Sequence, residues 1–202
     1  MTRLRRGAYA PRDEFADASA TARHRALAEA VSNSARDDVV FSHRTAAVLL
    51  GIPLLGEISD AVHVRSGAAV GRRSRNGIVR HAGEFADEVF AIDRFWVTSP
   101  ALTVLDLAAS DGVLAGMIAA EHVLRPDNRL DVSHDALSAL HHERRPYANC
   151  RQVDRVLALA SSASASPLET LSRFRFHEYG FVQPEQQREY RGLDGHRYAV
   201  DF

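Results

Sequence analysis

The sequence predicts an α+β protein, in which a small antiparallel sheet packed with helices is followed by a helix–hairpin unit. Three observations lead there. Short stretches between residues 61 and 98 alternate apolar and polar side chains with the period of a half-buried strand. From 98 to 160 apolar residues recur at helical spacing. After residue 166 the order is one helix, then strand, turn and strand.

The first element, RLRRGAYAP (3–11), has a glycine in its middle and β-formers after it, which predicts a short strand pair. The acids Asp13, Glu14 and Asp17 lead into a helix near 18–36, with Ala22, Ala26, Leu27, Ala30 and Val31 on one stripe. Val39 to Phe41 reads as a brief buried strand. In SHRTAAVLLGIPLLG (42–56), Ser42 is a candidate N-cap, the run from Ala46 to Leu50 packs, and Gly51 with Pro53 ends the helix. AVHVR (61–65) and NGIVRH (76–81) read as strands on either side of SGAAVGRRSR, a loop carrying Arg72, Arg73 and Arg75. EVFAID (88–93) and RFWVT (94–98) predict a tight hairpin.

TSPALTVLDLAAS (98–110) opens a helix with a cap and then Pro100 at the first helical position, where its missing N–H costs nothing. Asp111-Gly112 breaks that helix, and VLAGMIAAEHVL (113–124) forms the next. Ser133 caps a third, carrying Leu137 and Leu140. A fourth spans about 149–160, with Val153, Val156, Leu157 and Ala160 at i, i+3, i+4, i+7. SSASAS (161–166) is the predicted boundary between a module of residues 1–160 and a smaller one at 166–202. There SPLETLSRFRFHEYG (166–180) is a helix closed by Gly180, and EQQREY and HRYAVDF flank the turn LDG.

Composition narrows the function classes. Hydrophobic residues at 46% and charged residues at 25% are ordinary for a globular chain. No apolar run is long enough to span a membrane, and MTRLRRGAYAPRDEF lacks the apolar core of a secretory signal. A single cysteine, Cys150, can form neither an internal disulfide nor a thiolate metal cluster, so a cytoplasmic location is expected. Charge is uneven. Residues 1–81 hold 13 arginines against 8 acids, residues 82–150 hold 5 against 11, and the remainder balances. The N-terminal part is therefore the one suited to an anionic partner. All 25 basic residues are arginine, which excludes a lysine Schiff base, a lysine general base and a P-loop lysine.

Few residues offer chemistry. Glu169 on its helix and Asp201 on the last strand are the arrangement with which a metal-dependent nuclease site begins, where carboxylate oxygens hold Mg²⁺ and the ion activates water. Ser166-Pro167-Leu168-Glu169 is equally a capping box, in which serine and glutamate satisfy each other's backbone amides. Arginines at 3, 5, 6, 72, 73 and 75 have the fork geometry that matches phosphate oxygens. HHERRP (141–146) reads as a solvated helix end, since adjacent histidines point to different sides of a helix. His43 and His81 are expected to make local structural hydrogen bonds.

In their order along the chain, RLRRGAYAP, VVFSHRTAAVLLGIPL, VHVR, GIVRH and VTSPALTVLDLA resemble actinobacterial proteins of the AbiEi antitoxin type. The tail SPLETLSRFRFHEYGFVQPEQQREYRGLDGHRYAVDF resembles the start of their C-terminal domain, which is related to very-short-patch-repair-like, restriction-endonuclease-like folds with a PD-(D/E)xK site. The resemblance implies a winged-helix remnant at 1–11, an antitoxin-like module to 160, and a partial nuclease-like domain in which Glu169 matches the helix acid and Asp201 the first strand acid. Nothing in this sequence matches the family's second acid or its lysine. The expectation is a non-catalytic, antitoxin-like regulator of a toxin–antitoxin or phage-defence system. It would contact DNA through Arg3, Arg5, Arg6, Arg72, Arg73 and Arg75, need no cofactor, and meet a cognate toxin or another protein. A strand left open at the tail invites pairing with a second copy. The alternative is a Mg²⁺-dependent nuclease whose site is completed by residues beyond 202 or by a partner.

Overall fold

The computed structural model describes residues 1–35, 38–66, 76–83, 88–192 and 196–200, with backbone only for 199 and 200. Arg72, Arg73, Arg75 and Asp201 lie outside the described residues. The chain is α+β, as its pattern predicts. A strand pair, β1 (Thr2–Arg5) and β2 (Ala8–Ala10), precedes a short helix α1 (Arg12–Asp17) and the longer α2 (Ala20–Ser34). The Ser19 hydroxyl caps α2 by accepting from the Ala22 amide at 3.1 Å.

The central sheet has five strands in the order β5-β4-β3-β7-β6. These are β3 (Val40–Phe41), β4 (Val62–Ser66), β5 (Ile78–Ala82), β6 (Val89–Ile92) and β7 (Phe95–Thr98). The sheet is mixed rather than purely antiparallel. β3 runs antiparallel to β4 and parallel to β7, β4 runs parallel to β5, and β6–β7 is the antiparallel hairpin expected from the sequence. Alternation along a strand dictates which side chains share a face and carries no information about direction, so both arrangements fit the same pattern. The hairpin turns at Asp93-Arg94, with Asp93 at φ 50, the left-handed conformation a two-residue loop requires.

Helix α3 (His43–Leu50) follows β3 directly, and α4 (Pro100–Asp111) follows β7. Ser99 caps α4 by accepting from Leu102 N, with Pro100 just inside. α5 (Val113–Leu124) folds back on α4 at very close range. A Cβ placed on Gly116 would stand 2.5 Å from Ala108 Cβ and 2.7 Å from Ala108 Cα, so only glycine permits this approach. α6 (His134–Arg144), capped by Ser133, and α7 (Cys150–Leu159) complete the helical layer. One apolar cluster joins Phe41, Val64, Ile78 and Val97 of the sheet to Leu105, Met117, Leu137 and Val156 of the helices.

The last elements are α8 (Pro167–Glu178) and the hairpin β8 (Arg188–Arg191) with β9 (Arg197–Val200). Phe174 of α8 belongs to the same apolar cluster. Residues 161–166, expected as a boundary, are tied to α5. Ser161 N donates to Glu121 Oε1 at 3.1 Å, Arg125 donates to Ala165 O at 2.9 Å, and Ser164 is buried. Glu121 is only 1% exposed, and it also accepts from Thr170 Oγ1 at 2.7 Å and pairs with Arg173. This carboxylate docks α8, because a charge so deeply buried is tolerated only when its oxygens are occupied.

Candidate functional site

The most concentrated polar chemistry lies at one end of β4 and β5. Val62 and Val64 face the core, so alternation sends His63 and Arg65 to the opposite face. Register pairs His63 with Val79 and Arg65 with His81, which brings His63, Arg65 and His81 together on that face. His63 Nδ1 and His81 Nε2 are 3.0 Å apart, so one ring donates to the other. His43, the first residue of α3, lays its ring flat on His81, with centroids 3.4 Å apart and planes 17° from parallel. Its φ of 51 is left-handed, uncommon for a non-glycine residue, and marks a side chain held by its surroundings.

Ser42 stands at the N-cap position expected of it, but its hydroxyl does not bond the helix amides. It lies 3.1 Å from His43 Nδ1 instead. The network continues inward. His24 Nδ1 is 2.8 Å from the Ser59 carbonyl, which only accepts, so Nδ1 carries the proton. Its Nε2 then accepts from Thr45 Oγ1 at 2.9 Å, and Thr45 Oγ1 accepts from His63 N at 2.8 Å.

Burial holds these rings neutral. Desolvation, reinforced by the Arg65 guanidinium and by His63, depresses His43 to about 3. Desolvation, with His43 and His63 beside it, likewise depresses His81 to about 3. His24 and His63 are lowered by the same burial.

Beside the stack lies a cavity of about 390 Å³, lined among others by His43, Arg65, Gly83, Asp106, Arg144 and Tyr147. Arg65 pairs with Asp106 Oδ1 through Nη2. Arg65 Nε and Asp106 Oδ2 are buried and have no hydrogen-bond partner among the described residues. Asp106 Oδ2 lies 3.2 Å from His43 Nδ1, yet the two are not aligned as a hydrogen bond. Each such orphan costs about 1–3 kcal/mol. Desolvation raises the Asp106 carboxyl above its usual range, against the pull of Arg65. On another wall the Tyr147 hydroxyl is 2.5 Å from His141 Nδ1, and His141 Nε2 is 2.8 Å from Asp154 Oδ1. A carboxylate only accepts, so His141 donates from Nε2 and Tyr147 donates to Nδ1. Burial pushes the Tyr147 hydroxyl up, keeping it protonated.

The residues singled out in the sequence fall elsewhere. Glu169 is buried as the partner in a cap. It accepts from Ala165 N at 3.0 Å and from Ser166 Oγ at 2.8 Å, while Ser166 Oγ accepts from Glu169 N at 3.3 Å. This is the capping box displaced by one residue, since the carboxylate reaches the amide before the cap rather than the cap's own. Arg3 and Arg6 are exposed and Arg5 half-exposed on the β1–β2 pair, and Arg5 Nη1 reaches the Asn76 carbonyl at 3.5 Å. The expectation for HHERRP needs correction. His142 is exposed, but His141 is 1% exposed and bridges Tyr147 to Asp154, because the chain after α6 folds back over it.

The histidine stack, Arg65, Asp106 and Tyr147 escape sequence reasoning. The available signal is the alternation of His63 and Arg65 with Val62 and Val64, and it gives the face but not the neighbours. Among the described residues, no group of three or more His, Cys, Asp or Glu side chains is placed to hold a metal ion. Family models, curated proteins and solved structures all fail to match this chain. Among the described residues no helix is long and apolar enough to cross a membrane.

Proposed function

We propose that this protein is a non-catalytic, antitoxin-like regulator of a toxin–antitoxin or phage-defence system, acting by contact with DNA through its arginine-rich N-terminal edge. The observation that carries the proposal is the hydrogen bond from Arg5 to Asn76. It sets the β1–β2 pair, with Arg3 and Arg6, beside the residue that directly follows GRRSR in the chain. Arg3, Arg5 and Arg6 thereby stand together beside Asn76, within the segment of excess positive charge. The order of the AbiEi-type motifs supports the same reading. So does Glu169, whose two oxygens are occupied by backbone and hydroxyl donors rather than left for Mg²⁺.

The test is an electrophoretic mobility shift on a labelled duplex from the region upstream of the gene, at 50 and 200 mM salt. Binding is expected at the lower salt. Replacing Arg3, Arg5 and Arg6 by alanine should weaken it and reduce the salt slope by roughly 0.9 for each phosphate no longer neutralised. Absence of binding at 50 mM, or binding unchanged in that triple variant and in a second triple at Arg72, Arg73 and Arg75, sinks the DNA claim. Mg²⁺-dependent cleavage abolished by Asp201→Asn would replace the regulator with a nuclease. A cognate toxin recovered with the protein, without DNA, would leave a protein-binding antitoxin.

A further inference from the structure

All four residues of β8 are exposed, and so are Arg197 and Tyr198 of β9. Among the described residues β9 is the only strand beside β8, so the other edge of β8 carries none. A two-stranded sheet is marginal in water by itself, and a bare edge is a template for a further strand. The hydrogen bonding of the hairpin shows what that edge presents. Gly192 N donates to His196 O at 2.8 Å, and the register runs on through Arg191 with Arg197 and Tyr190 with Tyr198. In an antiparallel pair successive residues turn their N–H and C=O alternately towards and away from the partner strand. Gly192 and Tyr190 therefore turn theirs to β9, while Glu189 and Arg191 turn theirs to the free edge. The side chains of Glu189, Arg191 and Arg197 share one face, and those of Tyr190 and Tyr198 the other. The charged face is unbalanced. Arg191 stands directly opposite Arg197, which is unfavourable for like charges. Glu189 is the one acid among the described residues of the two strands, and it lies 3.5 Å from Arg197.

We propose that β8 pairs antiparallel with β8 of a second copy of this chain, about a twofold axis at Tyr190, so that Glu189 of each copy stands opposite Arg191 of the other. Few registers join outward-facing backbone groups to one another. A pairing centred on Glu189 opposes two glutamates, one centred on Arg191 opposes two arginines, and one centred on Arg188 sets that arginine against itself. Centring on Tyr190 opposes unlike charges twice, and gives each Arg191 an acid on the side away from Arg197. On the other face Tyr198 and Tyr190 of both copies form one row across four strands. Both copies use the same edge, so the assembly closes as a dimer. The pairing surface is separate from the arginine-rich N-terminal edge and does not depend on DNA binding.

Sedimentation equilibrium of the full chain tests this. A four-residue edge buries less than a standard interface, so the expected dimer is weak, with Kd on the order of 100 µM. Glu189→Arg and Arg191→Glu each replace both unlike pairs by like ones, and each should weaken association by about tenfold or more. Mixing the two variants restores the complementarity, because one then presents two arginines at these positions and the other two glutamates. The mixture should therefore form a heterodimer about as tight as the parent dimer, although neither variant associates alone. Both side chains are exposed, and circular dichroism checks that each variant is folded. If one is not, the chain carrying both substitutions decides, since it should dimerise like the parent. The proposal is overturned if the parent chain stays monomeric at about 500 µM. Association undiminished by either single substitution, or no heterodimer from the mixed folded variants, also overturns it.

Discussion

Lowering the pH should unfold this protein through His43 in particular. In the folded chain desolvation, with Arg65 and His63 nearby, holds its pKa near 3, against 6.5 in the unfolded chain. The unfolded state therefore binds the proton more tightly. The stability contributed by the neutral ring is fully present above about 6.5 and is lost as pH falls from there towards 3. Each pH unit well inside that window costs ~1.4 kcal/mol, so the step from pH 7 to pH 5 costs about 2 kcal/mol for this one residue. His81, His63 and His24 shift in the same direction and add to the loss, with solvent screening the half-buried His63 and His81 more than the buried His24. Urea unfolding followed by circular dichroism at pH 7, 6 and 5 measures the total. His43→Asn isolates the residue, because asparagine accepts the left-handed backbone at this position and does not titrate. The wild type should lose about 2 kcal/mol more than the variant between pH 7 and pH 5. Equal losses in the two proteins would show that the ring is not held neutral by its burial, and the account of the stack would fail.

Two further substitutions probe the architecture. Glu121→Ala leaves Arg173, Thr170 Oγ1 and Ser161 N without their shared acceptor, and should cost about 3–5 kcal/mol with accelerated amide exchange across α8; a loss below about 1 kcal/mol would mean that this carboxylate does not dock the helix. Gly116→Ala drives a methyl into the Ala108 backbone and should cost at least about 1–3 kcal/mol in thermal or urea unfolding, whereas an unchanged midpoint would show that α4 and α5 separate freely.

The elements that were legible in the sequence are those whose signals are local. Ser99-Pro100, Ser133 and Ser166 each stand where a helix begins, and each hydroxyl accepts from an amide three residues on, a bond made within one turn of chain. The Asp93-Arg94 turn is likewise complete within the hairpin it closes. Glu169 was legible as a cap for the same reason, whereas the alternative expected of it, metal binding together with Asp201, depended on a residue in a different element. Ser42 shows the limit of such signals. It has the right type at the right place, but the neighbouring His43 ring, held by the sheet, takes its hydroxyl. HHERRP shows another, since the partners that bury His141 come from the turn after α6 and from α7.

The amino-acid order by itself determined where helices and strands form and which side chains share a face, because caps, turns and alternation act over a few residues. Tertiary structure alone decided that β4 and β5 run parallel, that His43 lies on His81, and that Arg65 meets Asp106 forty-one residues away. Those contacts are set by how the chain returns between elements, and the burial that neutralises the histidines exists only once the elements have packed.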